Sequence, residues 1–306
     1  MRIGTRGSEL ALTQSRHVRS LLGGTDETIP LEIITTSGDR FIDASLSRIG
    51  GKGVFTKELE DALLEGRVDL AVHSLKDLPT ENPPGLIVAA LLTREDPRDA
   101  LVTRSGLGLS ALPSGSRVGT SSLRRRSQLL ARRPDLVVEE LRGNVPTRLR
   151  RVEEGRYDAV VIAAAGLRRL GLAGRITELI DEEIMLPAPG QGVLGIQTRA
   201  DDEATIAAVR RHHDPVAAAE ATAERAFLAG LGGGCLVPVG ARGRVTGDRL
   251  RLEGVVGHPS GRPSVRRSAD GPAAAAAEIG RALAETLLAN GAREILAEVR
   301  SDEVFP

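Results

Sequence analysis

One sequence pattern occurs twice in the chain, 89 residues apart, and it constrains the fold more than any other feature. Residues 64–72 read Leu-Glu-Gly-Arg-Val-Asp-Leu-Ala-Val, and residues 153–161 read Glu-Glu-Gly-Arg-Tyr-Asp-Ala-Val-Val. In both, a helical pattern ends at Gly-Arg and an Asp then opens an apolar strand. Such a match is either a coincidence of common helix-to-strand sequences or the mark of two similar α/β lobes in tandem.

Short apolar runs alternate with helical periodicity around both copies of this pattern. We predict strands at 31–35, 68–72, 136–141 and 159–163, and helices at 54–64 and 146–154. This alternation indicates βα units and sheets with parallel strands. Two such lobes usually hold a ligand in the cleft between them.

The texture of the sequence changes after a Pro- and Gly-rich segment, residues 187–192, which is typical of a crossover or hinge. Beyond it we predict alanine-rich helices at 217–228 and 273–288 and a strand at 249–256. The predicted domains are therefore lobe 1 from residues 1–93 and 193–212, lobe 2 from 97–187, and a third, smaller α/β domain from 214–306.

Composition excludes several classes of function. The 306 residues include four Phe, one Tyr and no Trp, so the core must be aliphatic and stacking platforms for single-stranded nucleic acid are missing. The net charge is zero, which gives no overall attraction to polyanions. No apolar region follows Met1, and no apolar run reaches the roughly 18 residues of a membrane span. We therefore expect a soluble, cytoplasmic protein with no membrane or nucleic-acid partner.

The neutral total conceals an arginine-rich segment. Residues 117–169 contain 13 Arg, no Lys and 6 acidic residues, a net charge of +7. Arg without Lys favours forked recognition of carboxylate or phosphate groups. Residues 118–126 place a strand end and a hydroxyl-rich turn before Arg124, Arg125 and Arg126 in a first helical turn. Three cations at the positive end of a helix are unfavourable unless an anion binds there.

Arginine follows or flanks three other predicted strand ends, at residues 4–8, 141–148 and 163–169. Each one alone is a weak signal, because most Arg side chains are solvated, but together they indicate several anionic groups on one ligand. No glycine loop of the P-loop or dinucleotide-binding type is present where a phosphate-binding site would need it. A small ligand with several carboxylates fits these positions as well as a phosphate does.

The strand at 68–72 leads into His73, Ser74, Lys76 and Asp77, at the end of the sheet where α/β proteins line their ligand crevice. Asp77 could transfer a proton or stabilise a developing cation, and it could equally form a surface ion pair with Lys76. His73 is at least as consistent with a structural role as with a catalytic one.

The only cysteine, Cys235, follows three glycines, residues 232–234. Three residues without side chains favour a mobile, approachable loop. A single thiol makes no internal disulfide and no metal site by itself. Cys235 is therefore either a small buried hydrophobic residue or a nucleophile or covalent attachment point.

Eight segments in this order resemble the porphobilinogen deaminase (hydroxymethylbilane synthase) family over nearly the whole chain. They are IGTRGSELALTQ, GGKGVFTKELE, AVHSLKDLPT, VGTSSLRRRSQL, LRGNVPTRL, YDAVVIAAAGLRRLG, LPAPGQGVLGI and GGGCLVPVG. The resemblance implies an α/β fold of two tandem periplasmic-binding-protein-like lobes plus a third smaller α/β domain that presents the cysteine. It also implies an enzyme that joins four porphobilinogen units head to tail, each losing ammonia, and releases hydroxymethylbilane with water.

The resemblance also implies roles for individual residues. The product would grow on a dipyrromethane cofactor held by a thioether to Cys235, and Asp77 matches the catalytic carboxylate, which would also contact the cofactor. The other matches to cofactor-binding positions are Ser74, Lys76, Thr120, Ser122, Arg124, Arg125, Arg142, Gly143 and Arg148. The matches to substrate-binding positions are Arg6, Ser8, Lys52, Phe55, Asn144, Arg169 and Gln191.

The chain departs from the family pattern at three positions. Gly232 stands where a glutamate is common, Leu236 where a polar residue is common, and Thr13 where an aromatic residue is often found. Two other classes of function remain as alternatives. A non-catalytic two-lobed receptor for a polycarboxylate ligand has no use for Cys235, and an arginine-rich nucleic-acid binder has none for Asp77. We expect a monomer that acts on a small molecule and uses no metal.

Overall fold

The computed structural model describes residues 1–37, 56–233 and 237–301. The chain divides into two compact units. Unit 1 consists of Met1–Glu95 and Gly192–Ala218, and unit 2 consists of Asp96–Gln191 and Ala219–Pro306. The chain therefore begins in unit 1, forms part of unit 2, returns to complete unit 1 and ends in unit 2.

Unit 1 is built around a five-stranded mixed sheet. Its strands are β1 (Ile3–Thr5), β2 (Leu31–Ile33), β3 (Leu70–Ser74), β4 (Leu86–Leu91) and β10 (Leu194–Arg199). Their order is β2-β1-β3-β10-β4, in which β1 is parallel to β2 and β3 while β10 is antiparallel to β3 and β4. The antiparallel strand is the one that the chain forms on its return to unit 1.

The two faces of this sheet are covered by different helices, because successive side chains of a strand point to opposite faces. On one face, Leu70 and Val72 pack with residues of α1 (Glu9–Leu21) and α6 (Glu203–Arg210). On the other face, Ala71 packs with residues of α2 (Lys57–Leu64). The residue that follows in this second row, His73, therefore points to the α2 face.

Unit 2 contains a second five-stranded sheet with the same arrangement. Its strands are β5 (Asp99–Thr103), β6 (Arg117–Gly119), β7 (Val137–Glu139), β8 (Ala159–Ala163) and β9 (Glu178–Leu179). The order β7-β6-β8-β5-β9 has three parallel strands followed by an antiparallel strand, β5, which is the first that the chain forms in unit 2. Helices follow the parallel strands in turn: α3 (Leu123–Arg132), α4 (Val145–Glu153) and α5 (Ala164–Arg169).

The repeated sequence pattern occupies the same position in both sheets. Gly66 and Gly155 follow the helices that precede β3 and β8, and both adopt a positive φ, 70° and 73°, which glycine adopts without steric cost. The next acidic residue accepts a hydrogen bond from a backbone N–H at the start of the neighbouring parallel strand, at 2.6 Å for Asp69 and 2.8 Å for Asp158. The pattern is an internal repeat of two lobes and not a coincidence.

Unit 2 also carries a three-stranded antiparallel sheet, in the part of the chain where the third domain was predicted. Its strands, β11 (Val239–Thr246), β12 (Arg249–Gly257) and β13 (Ser264–Pro272), lie in sequence order. Helices α7 (Pro215–Gly230), α8 (Ala276–Leu287) and α9 (Arg293–Ser301) contribute to its core, which includes Phe227, Leu252 and Leu283. The predicted fold class, two α/β lobes with a smaller third α/β element, is confirmed.

The predicted strands and helices occur where the sequence pattern placed them. The strand at 159–163 has the predicted bounds, and the other boundaries differ by no more than three residues. The first two residues of the helix predicted at 54–64 lie outside the described residues. The periodicity of apolar residues and the glycines that end helices were therefore sufficient to predict these strands and helices.

Helix α8 approaches α7 closely because position 280 is a glycine. A Cβ atom at Gly280 would lie 2.3 Å from the carbonyl oxygen of Ala223 and 2.9 Å from the backbone nitrogen of Phe227. Both obstacles are backbone atoms, which no side-chain rotation can move aside. The packing of the three-stranded sheet and its helices therefore depends on the missing side chain.

We expect Gly280→Ala to lower the free energy of unfolding by about 2 kcal/mol, because overpacking a close contact outweighs the better helix propensity of alanine. Urea unfolding of the purified protein measures this. Gly174→Ala is the matched control, since a Cβ there meets nothing within 4 Å. Equal stability of the two variants would contradict the close approach of the helices.

Candidate active site

The end of β3 carries the predicted catalytic carboxylate. Ser74 is the last residue of β3, and a 3-10 turn, Leu75–Asp77, follows it directly. Leu75 is buried and donates its backbone N–H to the carbonyl of Val193, just before β10, at 3.0 Å. Asp77 is exposed. The turn is therefore fixed to the sheet at its first residue and presents a carboxylate to solvent at its last.

The turn after β1 lies at the same edge, because β1 and β3 are parallel neighbours. Ser8 caps α1 by accepting a hydrogen bond from the backbone N–H of Ala11 at 3.3 Å. Gln14, one turn further along α1, donates its side-chain amide to the Ser74 hydroxyl at 3.0 Å. The structure thus brings five predicted site residues to one edge of unit 1: Arg6, Ser8, Ser74, Lys76 and Asp77.

A corresponding edge exists in unit 2, because β7, β6 and β8 are parallel neighbours. Ser122 caps α3 by accepting from the backbone N–H of Arg125, and Asn144 caps α4 by accepting from that of Thr147 at 3.0 Å. The predicted site residues that follow these three strands are Thr120, Ser122, Arg124, Arg125, Arg142, Gly143, Asn144, Arg148 and Arg169.

The turn before α4 holds two of these arginines. Gly143 has a φ of 104°, and a Cβ there would lie 2.8 Å from Cγ2 of Thr147, so the turn requires glycine. Arg148 donates Nε to the carbonyl of Gly143 at 2.8 Å. Arg142 contacts the carboxylate of Glu140 at 2.7 Å. Both guanidinium groups are therefore oriented by neighbouring residues of the same turn.

Arg124 and Arg125 converge on one buried carboxylate, that of Asp99 at the start of β5. Arg124 donates to one oxygen at 2.6 Å, and Arg125 donates Nε and a terminal nitrogen to the other at 3.0 and 2.8 Å. The side chains of Arg124, Arg125 and Asp99 are 4%, 6% and 0% exposed. Each arginine also donates to a backbone carbonyl, that of Leu186 at 2.7 Å and that of Val161 at 2.9 Å.

These three residues, here called the arginine-pair cluster, carry one more positive than negative charge in the protein interior. Burial lowers the pKa of Arg124, the Asp99 charge opposes that effect, and the Arg125 charge adds to it. The Arg124 guanidinium keeps its charge, because the pKa of arginine starts far above neutral. The excess positive charge lies in the first turn of α3, whose N-terminal backbone also attracts anions.

The side chains of two further residues, Gln191 and Arg126, form hydrogen bonds within the protein. Gln191 is 1% exposed and donates its amide to Asp99 at 3.0 Å and to the carbonyl of Pro97 at 2.7 Å. Arg126, the third arginine of the run, donates to the carbonyls of Val138 and Pro259 at 2.8 and 3.3 Å. Gln191 thus supports the arginine pair from behind, and Arg126 secures α3 to neighbouring backbone.

Sequence reasoning missed Asp99, which holds the arginine pair together. It is 25 residues from Arg124 in the chain and stands next to another arginine, Arg98, so local sequence gives no sign of the pairing. The only indication of its role is its position at the start of β5, the first strand that the chain forms in unit 2. A fully buried acid there requires a cationic partner.

Three predicted site residues, Cys235, Lys52 and Phe55, lie outside the described residues. The chain that leads to the cysteine is described as far as Gly233. Leu231 is buried, and Gly232 and Gly233 both have a positive φ, 89° and 58°. Gly232 and Gly233 therefore adopt backbone conformations that glycine takes without steric cost.

Two features, a metal-binding cluster and a membrane-spanning helix, are absent among the side chains and helices of the described residues. Residues 1–37, 56–233 and 237–301 contain no group of three or more His, Cys, Asp or Glu side chains placed to hold a metal ion. Within the same ranges, no helix has the length and apolar character needed to cross a membrane.

The two edges define a class of protein: an α/β protein of two similar lobes, of which one presents an exposed carboxylate and the other a set of arginines. Two family profiles match the chain, “Porphobilinogen deaminase, dipyromethane cofactor binding domain” over residues 1–207 and “Porphobilinogen deaminase, C-terminal domain” over residues 218–289. The chain belongs to the porphobilinogen deaminase family.

Curated relatives agree over almost the full length. The porphobilinogen deaminase of Roseiflexus sp. (strain RS-1) is 53% identical, covering 96% of this chain and 98% of the relative. That of Geobacter metallireducens is 48% identical, covering 99% and 96%. Among solved structures, the ancestral amino acid-binding protein AncCDT-1 has a TM-score of 0.35 at 12% identity, covering 69% of this chain and 86% of that chain. The family, the enzyme class and the dipyrromethane cofactor predicted from the motifs are confirmed.

We expect Asp99→Asn to lower the free energy of unfolding by about 3–5 kcal/mol, because it leaves two buried guanidinium groups without a counter-charge. Chemical denaturation followed by circular dichroism measures the loss. The control is Asp270→Asn, whose carboxylate is 48% exposed and lies 3.5 Å from Arg251; exposed pairs contribute little. If both variants unfold like the unmodified chain, Asp99 does not hold the arginine pair.

Proposed function

We propose that this chain condenses four molecules of porphobilinogen head to tail into hydroxymethylbilane, on a dipyrromethane group attached through a thioether to Cys235. The observation that carries the proposal is membership of the porphobilinogen deaminase family over nearly the whole chain. A polycarboxylate receptor would use the arginine edge of unit 2, but it would need neither a carboxylate at the end of β3 nor a thiol on a glycine loop.

The edge of unit 2 fits a cofactor rich in carboxylates. Pyrrole rings of this kind carry acetate and propionate groups, and the arginine-pair cluster has an uncompensated positive charge at a helix N-terminus. When bound, the dipyrromethane supplies a pyrrole with a free α-carbon, which is the nucleophile of the reaction. The residues that would hold it are Ser74, Lys76, Asp77, Thr120, Ser122, Arg124, Arg125, Arg142, Gly143 and Arg148.

The exposed Asp77 carboxylate suits the chemistry of the substrate. Porphobilinogen loses ammonia when the bond from its aminomethyl carbon to nitrogen breaks, and the nitrogen keeps the electron pair. The ring left behind is an electron-poor azafulvene cation, which a fixed carboxylate stabilises by charge and by accepting a hydrogen bond from the pyrrole N–H. Asp77 is also the group we assign to accept the α-proton that the attacking pyrrole ring must release once the new carbon–carbon bond has formed.

The remaining assignments complete the proposal. Residues that would bind the substrate's carboxylates and ring are Arg6, Ser8, Lys52, Phe55, Asn144, Arg169 and Gln191. Of these, Gln191 would act from behind the arginine pair, since its amide is engaged by Asp99 and Pro97. The monomeric state, the cytoplasmic location and the division into three domains are part of the same proposal.

The mass of the denatured protein tests the cofactor attachment. We expect purified protein to exceed the mass of the bare chain by one dipyrromethane, and Cys235→Ala to show the bare mass, because the chain has no other thiol. Protein that carries no adduct, and acquires none on incubation with porphobilinogen, would support the receptor instead.

Asp77→Asn tests the catalytic assignment. We expect it to retain the adduct and the melting temperature, since the side chain is exposed, while turnover falls about 100-fold or more. The control is Glu81→Gln, an exposed acid four residues further along the chain. Tetrapyrrole formation is measured by the absorbance of the oxidised product. A near-normal rate for Asp77→Asn would contradict its role.

A further inference from the structure

Unit 1 contains a buried polar cluster that the proposed chemistry leaves unused. Its members are Glu60 on α2, His73 on β3 and Gln197 on β10. Their exposed fractions are 8%, 6% and 0%. Polar side chains this deeply buried are costly unless their atoms are hydrogen-bonded, so the cluster requires an explanation.

Strand register places two of the three residues side by side. In the antiparallel pair of β3 and β10, His73 lies opposite Gly195 and Ala71 lies opposite Gln197. Residues two apart on a strand share a face, so His73 and Gln197 are diagonal neighbours on the face that α2 covers. The residue opposite His73 is Gly195, and a Cβ atom there would lie 3.3 Å from Cδ1 of Leu75, so neighbouring side chains already pack against this position.

Four side-chain atoms of this cluster do not meet hydrogen-bond geometry with any neighbour. Among the described residues, Nε2 of His73, both ends of the Gln197 amide and Oε1 of Glu60 are buried with no hydrogen-bond partner. Gln197 is nevertheless close enough to both neighbours that its amide raises the pKa of His73 and lowers that of Glu60. Gln197 therefore lies between the other two side chains and connects them.

The charges that face the cluster keep the imidazole neutral. Burial lowers the pKa of His73 to about 4, the Gln197 amide opposes this, and the positive charge of Arg6 adds to it. Burial raises the pKa of Glu60, the amide of Gln197 and the hydroxyl of Thr56 oppose this, and the Asp61 charge adds to it. At neutral pH the imidazole therefore has one nitrogen that donates and one that accepts.

The cluster is joined directly to the edge that carries Asp77. His73 is the residue before Ser74, and the 3-10 turn that ends at Asp77 begins one residue later. The Leu75–Val193 hydrogen bond fixes the start of this turn to β10, the strand that also carries Gln197. Only one residue, Ser74, therefore separates His73 from the turn that ends at Asp77.

We propose that Glu60, Gln197 and His73, here called the buried polar chain, form a hydrogen-bonded network that positions the end of β3 and with it the Asp77 carboxylate. The members act as positioning residues, since all three are buried and their polar atoms face one another. The consequence for turnover rests on the proposed function, whereas the consequence for the backbone of the turn does not.

Gln197→Met tests this proposal, because methionine has nearly the shape of glutamine and lacks its hydrogen-bonding groups. Hydrogen exchange of the backbone amides in residues 73–78 and turnover of porphobilinogen are measured together. We expect exchange at the Leu75 amide to become about tenfold faster and kcat to fall about tenfold with KM unchanged.

The control is Thr198→Val, the next residue of β10, which is fully buried on the opposite face and should leave both quantities unchanged. Glu60→Met removes the polar group at the other end of the buried polar chain, and we expect it to change exchange and kcat in the same way as Gln197→Met. It takes the place of Gln197→Met if that variant does not fold. Unchanged exchange at Leu75 in these variants would overturn the proposal, with or without a change in kcat. If the unmodified protein makes no tetrapyrrole, the proposed function fails, and hydrogen exchange alone decides the positioning role.

Discussion

The buried pairing of Asp99 with Arg124 and Arg125 is the constraint on which the arginine-rich edge of unit 2 depends. Two guanidinium groups in the first turn of α3 repel each other and the helix dipole. One carboxylate between them, 0% exposed, makes their burial tolerable but does not cancel their charge. The excess positive charge is therefore fixed in a defined geometry, which suits recognition of carboxylates better than mobile surface arginines do.

The two lobes share one topology and have diverged in chemistry. Both have three parallel strands beside a crossover strand, and both end a helix with a glycine and open the next strand with an Asp. At the equivalent strand end, β3 continues into a turn with Asp77, whereas β8 continues into an apolar helix whose last turn holds Arg169. The repeated fold supplies the edge, and the few residues beyond each strand decide whether it presents an acid or cations.

The parts of this structure that depend on local sequence could be predicted, and those that depend on distant partners could not. Strand bounds, helix caps at Ser122 and Asn144, and the arginine-rich edge follow from periodicity and from residues within one turn of each other. Asp99 and Gln197 escape such reasoning, since each lies in an apolar strand and meets its partners only after the sheet forms. Sequence likewise treats Arg126 as equal to its two neighbours, although its actual acceptors are backbone carbonyls far along the chain.

A chain of hydrogen bonds within unit 2 connects the arginine-pair cluster to the helix that precedes the cysteine. Glu224 on α7 is fully buried and accepts hydrogen bonds from the backbone N–H groups of Gly190 and Gly243, at 2.7 and 2.8 Å. The residue after Gly190 is Gln191, whose amide holds Asp99. Because α7 ends at Gly230, residues 190 and 191 connect the arginine-pair cluster to the helix that leads toward Cys235 in the sequence. Under the function proposed above, a dipyrromethane attached at Cys235 would need such a connection, because its carboxylates and its point of attachment would have to keep a constant separation.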